Sequence, residues 1–106
     1  MHLKLLDEEY LALRTKGFVY LLRRRKKSNR KVKIYYNGEK IGMGILNVIG
    51  VVEYNCKTFT VNDKKIDFYL KYSGFDSVRK WISKIKRVCG QIKGLTLYEL
   101  KIIKYF

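Results

Sequence analysis

The spacing of apolar side chains changes period several times along the chain, and each change marks an element. His2 to Leu6 alternates as a short strand. Asp7, Glu8 and Glu9 then open a helix, because acids favour the first turn, where the macrodipole is positive. Tyr10, Leu11 and Leu13 supply its apolar face, Arg14 and Lys16 suit its last turn, and Gly17 fits the left-handed position just past the end. Phe18 to Arg25 follows as a strand, with Phe18, Tyr20, Leu22 and Arg24 on one face and Val19, Leu21, Arg23 and Arg25 on the other. Lys26 to Lys31 reads as a charged loop. Val32 to Tyr36 is the next strand, with Val32, Ile34 and Tyr36 sharing a face. Asn37-Gly38 is a strong hairpin signal. The returning strand runs from about Lys40 to about Tyr54, and Gly42, Gly44 and Gly50 within it mark bends or close backbone approach. Lys57 to Val61 is a further short strand.

A helical period returns in the second half. Asn62 or Asp63 is placed to cap a short helix reaching about Tyr72, which Gly74-Phe75 breaks. Asp76 or Ser77 caps a second helix to Val88. Its Val78, Trp81, Ile82, Ile85 and Val88 follow the i, i+3, i+4, i+7 spacing of one buried face. Arg79, Lys80, Lys84, Lys86 and Arg87 take the solvent side, where they form a second strip able to contact phosphates, and Gly90 ends the helix. Thr96 to Phe106 alternates as a final strand, with Leu95, Leu97 and Ile102 or Ile103 inward. The order predicts one domain over residues 1–106: an α+β protein built as a small, mostly antiparallel β-barrel with two or three helices.

Composition sharpens this picture. Apolar residues make up 47% and aromatics 14%, which argues against a disordered chain. The net charge is +15, and it is concentrated. Between Arg23 and Lys33 eight of eleven residues are Arg or Lys, and from Tyr10 to Gly38 there is no acid. Like charges at that density repel one another, and a polyanion offsets the repulsion. Tyr20 and Tyr35 flank the run and are candidates to stack bases, whereas strand alternation assigns Tyr36 to the core. Gly42-Met43-Gly44 lacks the third glycine and following helix of a dinucleotide site.

Ile41 to Val52 is too short and too interrupted to span a bilayer, and the N-terminus turns acidic before any long apolar run, so a cytoplasmic protein is expected. Cys56 and Cys89 with the single His2 cannot furnish four zinc ligands. The two thiols read as small buried side chains, or as a disulfide if the source is a hyperthermophile, towards which the absence of proline and the abundance of Lys, Ile and Tyr lean. Neither metal nor cofactor is expected.

Three stretches together resemble the ASCH domain family of PUA-like barrels, in the manner of a small stand-alone archaeal-type member. Asp7-Glu8-Glu9-Tyr10-Leu11, followed by Gly17 and Arg24, is similar to the family's first helix and its Gly-x-Lys-x-x-x-x-Arg signature. Lys31 to Val52 is similar to its central hairpin. Ser73-Gly74-Phe75-Asp76-Ser77, the Trp81 helix and the last strand are similar to its acidic-Gly-Phe turn, closing helix and C-terminal strand. The resemblance implies either RNA or nucleic-acid binding through a basic cleft, or hydrolysis of acylated cytidines by a Lys, a Thr and a Glu. Aligned on Gly17 and Arg24, the Lys and Thr positions are Val19 and Leu22, and Ser73 stands where an acid is usual. Lys16 could replace the Lys only with a shifted register. Hydrolysis needs a nucleophile or activated water, a base and an oxyanion stabiliser, and Val and Leu offer none.

The expectation is therefore a non-catalytic nucleic-acid-binding protein, RNA favoured over DNA. No catalytic residue is assigned. Contacts are expected from Arg23, Arg24, Arg25, Lys26, Lys27, Arg30, Lys31 and Lys33, with Tyr20 and Tyr35 and the turn residues Ser73 and Gly74. The alternative is an ASCH-type hydrolase, either an acylated-cytidine amidohydrolase or a ribonuclease.

Overall fold

A computed structural model describes residues 2–24 and 29–106. Five strands form the main sheet: β1 (His2–Lys4), β2 (Phe18–Arg23), β3 (Arg30–Tyr36), β4 (Glu39–Val51) and β8 (Thr96–Tyr105), in the order β1-β3-β4-β8-β2. All pairings are antiparallel except β1 with β3. A small meander of β5 (Glu53–Asn55), β6 (Thr58–Val61) and β7 (Lys64–Lys65) follows β4. The helices are α1 (Asp7–Lys16), a 3₁₀ helix (Ile66–Tyr72) and α2 (Val78–Cys89). The class is α+β. The sheet curls into a half-barrel with β1 and β2 at its two ends, rather than a closed barrel.

The curl is made where the glycines of β4 stand. A Cβ on Gly42 would lie 2.3 Å from the Lys104 carbonyl oxygen, and one on Gly44 would lie 2.6 Å from that of Lys101. Both oxygens belong to the neighbouring strand, so neither can swing aside. The β4–β8 register also shifts between Met43 and Gly44 and again between Val48 and Gly50, and such bulges bend a strand. The bends signalled by sequence are thus present.

Asn37 and Gly38 have φ of 51° and 79°, as a two-residue hairpin turn requires. Cys56-Lys57 and Asn62-Asp63 have the same paired positive φ. The second of these corrects the expected helix cap: Asn62 and Asp63 turn the β6–β7 hairpin, and the helix starts only at Ile66. Asn is among the few side chains that tolerate the left-handed region, so turn and cap share one sequence signal. Cys56, expected to be buried, is exposed in its turn. Cys89 is half-buried, and both thiols are free.

The sheet is buried on both faces. Leu3, Leu13, Val19, Leu21, Ile34, Leu46, Tyr98 and Leu100 form one core with α1. Leu22, Val61, Ile66, Tyr69, Phe75, Trp81, Ile85, Leu95 and Leu97 form the other with the 3₁₀ helix and α2. Alternation sends Val19 and Leu21 into the first core and Leu22 into the second, which is why β2 reads as a continuous apolar run. Val88 departs from its expected inward place: it is exposed, while Trp81 and Ile85 are fully buried. Leu11 is likewise exposed, and the inner face of α1 is Glu9, Ala12 and Leu13.

Glu9 is the exception in that first core. It is 0% exposed and Arg23 is 8% exposed, and the two form a bidentate ion pair. Arg23 Nη1 donates to Glu9 Oε2 at 2.9 Å, and Arg23 Nη2 donates to Oε1. Glu9 Oε1 also accepts from the Leu6 amide at 2.9 Å, satisfying an amide at the start of α1. Arg23 donates further to the carbonyls of Leu22 (2.9 Å) and Lys4 (3.2 Å). Burial lowers the pKa of the Arg23 guanidinium, but the Glu9 charge and hydrogen bonds outweigh it and the net direction is upward.

Two predictions follow from this packing. Removing one partner leaves the other charge buried and unpaired, so Glu9→Ala or Arg23→Ala should each destabilise by about 3–5 kcal/mol in urea unfolding. Glu9→Met with Arg23→Met should recover much of that loss, and single losses under about 1 kcal/mol would show that the pair is not what holds this corner. The second concerns alkaline pH. Burial raises the pKa of Tyr69, and burial with the nearby Glu99 raises that of Tyr20, relative to the usual value of about 10. A tyrosine raised in this way favours the protonated folded state. Its contribution is fully present below pH of about 10 and is lost as pH rises through the folded pKa. The melting temperature should fall above that pH, and less steeply in a Tyr20→Phe, Tyr69→Phe double variant; an identical fall would assign the effect elsewhere.

Candidate nucleic-acid interface

Helix α2 is built to show a cationic face. Ser77 caps it, its hydroxyl accepting from the Lys80 amide at 3.2 Å, and Gly90 ends it with φ of 84°. Trp81 and Ile85 anchor the buried side. On the other side Arg79, Ser83 and Arg87 recur every four residues, as do Lys80 and Lys84, so both rows lie along the helix. These five side chains line one wall of an open groove of about 770 Å³. The remaining lining is Glu8 from α1 and the Gly74-Phe75-Asp76-Ser77 turn. Lys80 pairs with Asp76 at 3.1 Å, but both are well exposed and such a pair contributes little. The size fits a ligand the scale of a nucleotide.

Gly74 shapes the end of the groove. Its φ is 88°, and a Cβ there would lie 2.1 Å from the Glu8 carbonyl oxygen, so only glycine lets the turn rest on the start of α1. Ser73 fixes the same turn from inside. Its hydroxyl donates to the Leu70 carbonyl at 2.7 Å and accepts from the Phe75 amide at 3.1 Å. Ser73 is fully buried, so it supports the turn and does not face a ligand.

The basic run meets this groove at the far end of α2. Arg24 is exposed, and its Nη2 donates to the Cys89 carbonyl at 2.8 Å, capping the negative end of the helix. Arg23, Arg24, Val88 and Cys89 line a smaller depression there of about 440 Å³. Arg87 lines the groove one residue before Val88, so the two concavities adjoin along the helix.

The other expected contact residues divide. Arg23 does not present its guanidinium outward: it is held by Glu9 and by the carbonyls of Leu22 and Lys4, so its assignment to phosphate is replaced by a structural one. Arg25, Lys26 and Lys27 lie outside the described residues. Arg30, Lys31 and Lys33 are on β3, with Lys31 and Lys33 exposed on the side opposite Val32 and Ile34, and none of them lines the α2 groove. Tyr35 is half-buried 5.0 Å from the His2 ring and lines a separate depression with Lys4, Leu5, Asn37 and Gly38. Tyr20 is half-buried among Phe18, Tyr69 and Tyr72. Tyr36 stacks on Tyr10 at 4.0 Å and donates to Asp7 at 2.8 Å, which raises its pKa.

Two features of the groove were not in the expected contact set. The cations of α2 were legible as a solvent face and a second strip able to contact phosphates, but not as one wall of a groove. Glu8 gave no signal beyond helix initiation, because its place in the groove depends on the distant Gly74 turn. Among the described residues no group of three or more His, Cys, Asp or Glu could hold a metal ion, and no helix is long and apolar enough to cross a membrane.

Comparison of the chain with protein-family models, with curated proteins and with solved structures finds no match.

Proposed function

We propose that this protein binds nucleic acid, RNA in preference to DNA, without cutting it, on an ASCH-like, PUA-like scaffold. The observation that carries the reading is the convergence of two cationic segments distant in sequence. Arg79, Lys80, Lys84 and Arg87 line one groove, and Arg24, an exposed member of the Arg/Lys run, is hydrogen-bonded at the end of the same helix. A strip that size on a chain of net charge +15 suits a backbone of phosphates, to which arginine pairs bidentately and lysine as a point charge. The preference for RNA rests on the resemblance to ASCH and PUA-like domains.

The positions where ASCH hydrolases carry Lys and Thr support the non-catalytic side of the reading. Val19 and Leu22 are both 0% exposed and belong to opposite cores, so neither they nor polar replacements would reach a substrate in the groove. Lys16 donates to the Lys71 carbonyl at 2.8 Å and lies 4.9 Å from the Tyr72 ring, away from the residues lining the groove.

Binding through phosphates releases counterions, so log affinity should fall linearly with log salt. For a single strand the slope is about −0.7 per phosphate neutralised, or about −2 to −3 for three or four contacts. Fluorescence anisotropy with labelled RNA and DNA at several salt concentrations measures it, and a slope near zero for both would sink the proposal. Arg79→Glu, Lys84→Glu and Arg87→Glu together should weaken binding at least about tenfold on every sequence and flatten the slope. Lys57→Glu, on the exposed Cys56-Lys57 turn, should leave both nearly unchanged. Equal losses in the two variants would mean that net charge, and not this strip, holds the ligand.

A further inference from the structure

The second core covers only part of its face of the sheet. Leu22 and Leu97, paired across β2 and β8, lie beneath it. Tyr20 packs edge-on against Tyr69 at 5.4 Å, and Tyr72, at the end of the 3₁₀ helix, reaches the Phe18 ring at 4.5 Å, which marks the border of the cover. Beyond that border the register sets Lys31, Ile45, Lys101 and Phe18 in one row across β3, β4, β8 and β2. Paired residues share a face. Their chain neighbours Val32, Leu46, Leu100 and Val19 are in the first core, so this row points away from it. Lys33 pairs with Met43 in the next row, and Tyr35, between Ile34 and Tyr36 of the first core, points the same way. Lys31, Lys33 and Lys101 are exposed, and Phe18, Tyr35, Met43 and Ile45 are half-buried.

The solvated face of an antiparallel sheet is ordinarily polar. This one interleaves lysines with apolar and aromatic side chains. Glu99 stands at its border, 3.5 Å from Lys101, in a pair open enough to water to neutralise little. Such a surface suits a polyanion that also carries flat apolar groups. It suits a second copy of the chain poorly, because a two-fold contact sets this lysine-bearing face against itself.

Resting on the nucleic-acid reading, we propose that this face is a stacking platform for the bases of a single strand. Phe18 and Tyr35 stack bases at its two margins, and Lys31, Lys33 and Lys101 meet the phosphates between them. Three strand spacings and four residues separate Phe18 from Tyr35, about 20 Å, on the scale of the smallest single-strand sites, about four nucleotides. A duplex hides the ring faces of its bases, so the platform selects an unpaired strand. Tyr72, packed on Phe18, lies two residues before Gly74, so platform and α2 groove adjoin at that turn. The groove positions phosphates and the platform adds the bases.

The test uses the whole chain and two single-stranded oligonucleotides of one length and backbone, one with all its bases and one abasic at its central positions. Fluorescence anisotropy should find the abasic strand bound at least about tenfold more weakly, with the same salt slope. Phe18→Leu with Tyr35→Leu keeps apolar bulk and removes both rings. It should erase most of that difference while leaving affinity for the abasic strand within about twofold. If circular dichroism shows that this variant does not fold, the exposed pair Lys31→Glu and Lys101→Glu locates the site. It should weaken binding of both strands and flatten the slope by about 1.4, two phosphates' worth, and by more than Lys57→Glu with Lys65→Glu on the small meander. Equal affinity of the unaltered protein for the two strands would overturn the platform and leave the phosphate reading of the α2 groove standing. A base-dependent difference that survives in Phe18→Leu, Tyr35→Leu, or a lysine-reversal loss no larger than that of the meander control, would remove the site from this face. Self-association that Phe18→Leu, Tyr35→Leu abolishes would give the face to a second copy instead. Absence of binding to either strand at low salt would overturn the platform and the nucleic-acid reading together.

Discussion

One buried ion pair sets the geometry on which the rest of the molecule depends. Glu9 and Arg23 meet in a core that is otherwise apolar, and between them they satisfy the Leu6 amide and the carbonyls of Lys4 and Leu22. The end of β1, the start of α1 and the end of β2 are thereby tied at one point. Two charges in that place are expensive to desolvate, and the bidentate geometry with additional backbone partners is what offsets the cost. The same pair divides the cationic run. Arg23 turns inward, so strand alternation turns Arg24 outward, onto the last carbonyls of α2. An interior contact thus decides where the exposed charge begins.

The groove depends on that corner through α1. Glu8 precedes Glu9, so whatever fixes the first turn of α1 also fixes the acidic end of the groove. The Gly74 turn rests on the same residue from the other side and passes directly into α2 through Asp76 and Ser77. The two ends of α2 are therefore both referred to α1 and β2: its N-terminal end through the turn, its C-terminal end through Arg24. A helix held at both ends by backbone and capping contacts presents its side chains in fixed rows. A charge run in a loop offers attraction without that order, and for this reason the helix and not the run is the better candidate for positioning a strand.

Much of this was legible in the sequence, and the failures have physical causes. The two α-helices, the Asn37-Gly38 hairpin, the bends of β4 and the last strand all carry strong local signals: capping, period and glycine spacing. Asn62-Asp63 was misread because the residues that suit a helix cap also suit a left-handed hairpin turn, and only the pairing partner distinguishes them. Val88 was misread because helical spacing marks a face without saying how far along the neighbouring elements cover it. Arg23 was misread as a phosphate contact because charge density says nothing about which member of a run finds an internal partner. Glu9, fourteen residues earlier, carries no mark that it will be buried.

What could not be read from sequence is the meeting of Glu8, the Gly74 turn and the cationic rows of α2, since these come from segments some seventy residues apart. That meeting also changes the weight of the charge. A net excess of positive residues attracts any polyanion and selects none. An acid placed within the attractive surface works against that attraction. Selectivity requires such an opposing element as well as an attractive one. In this groove the acids set among the cations are Glu8 and Asp76, the second of them paired with Lys80.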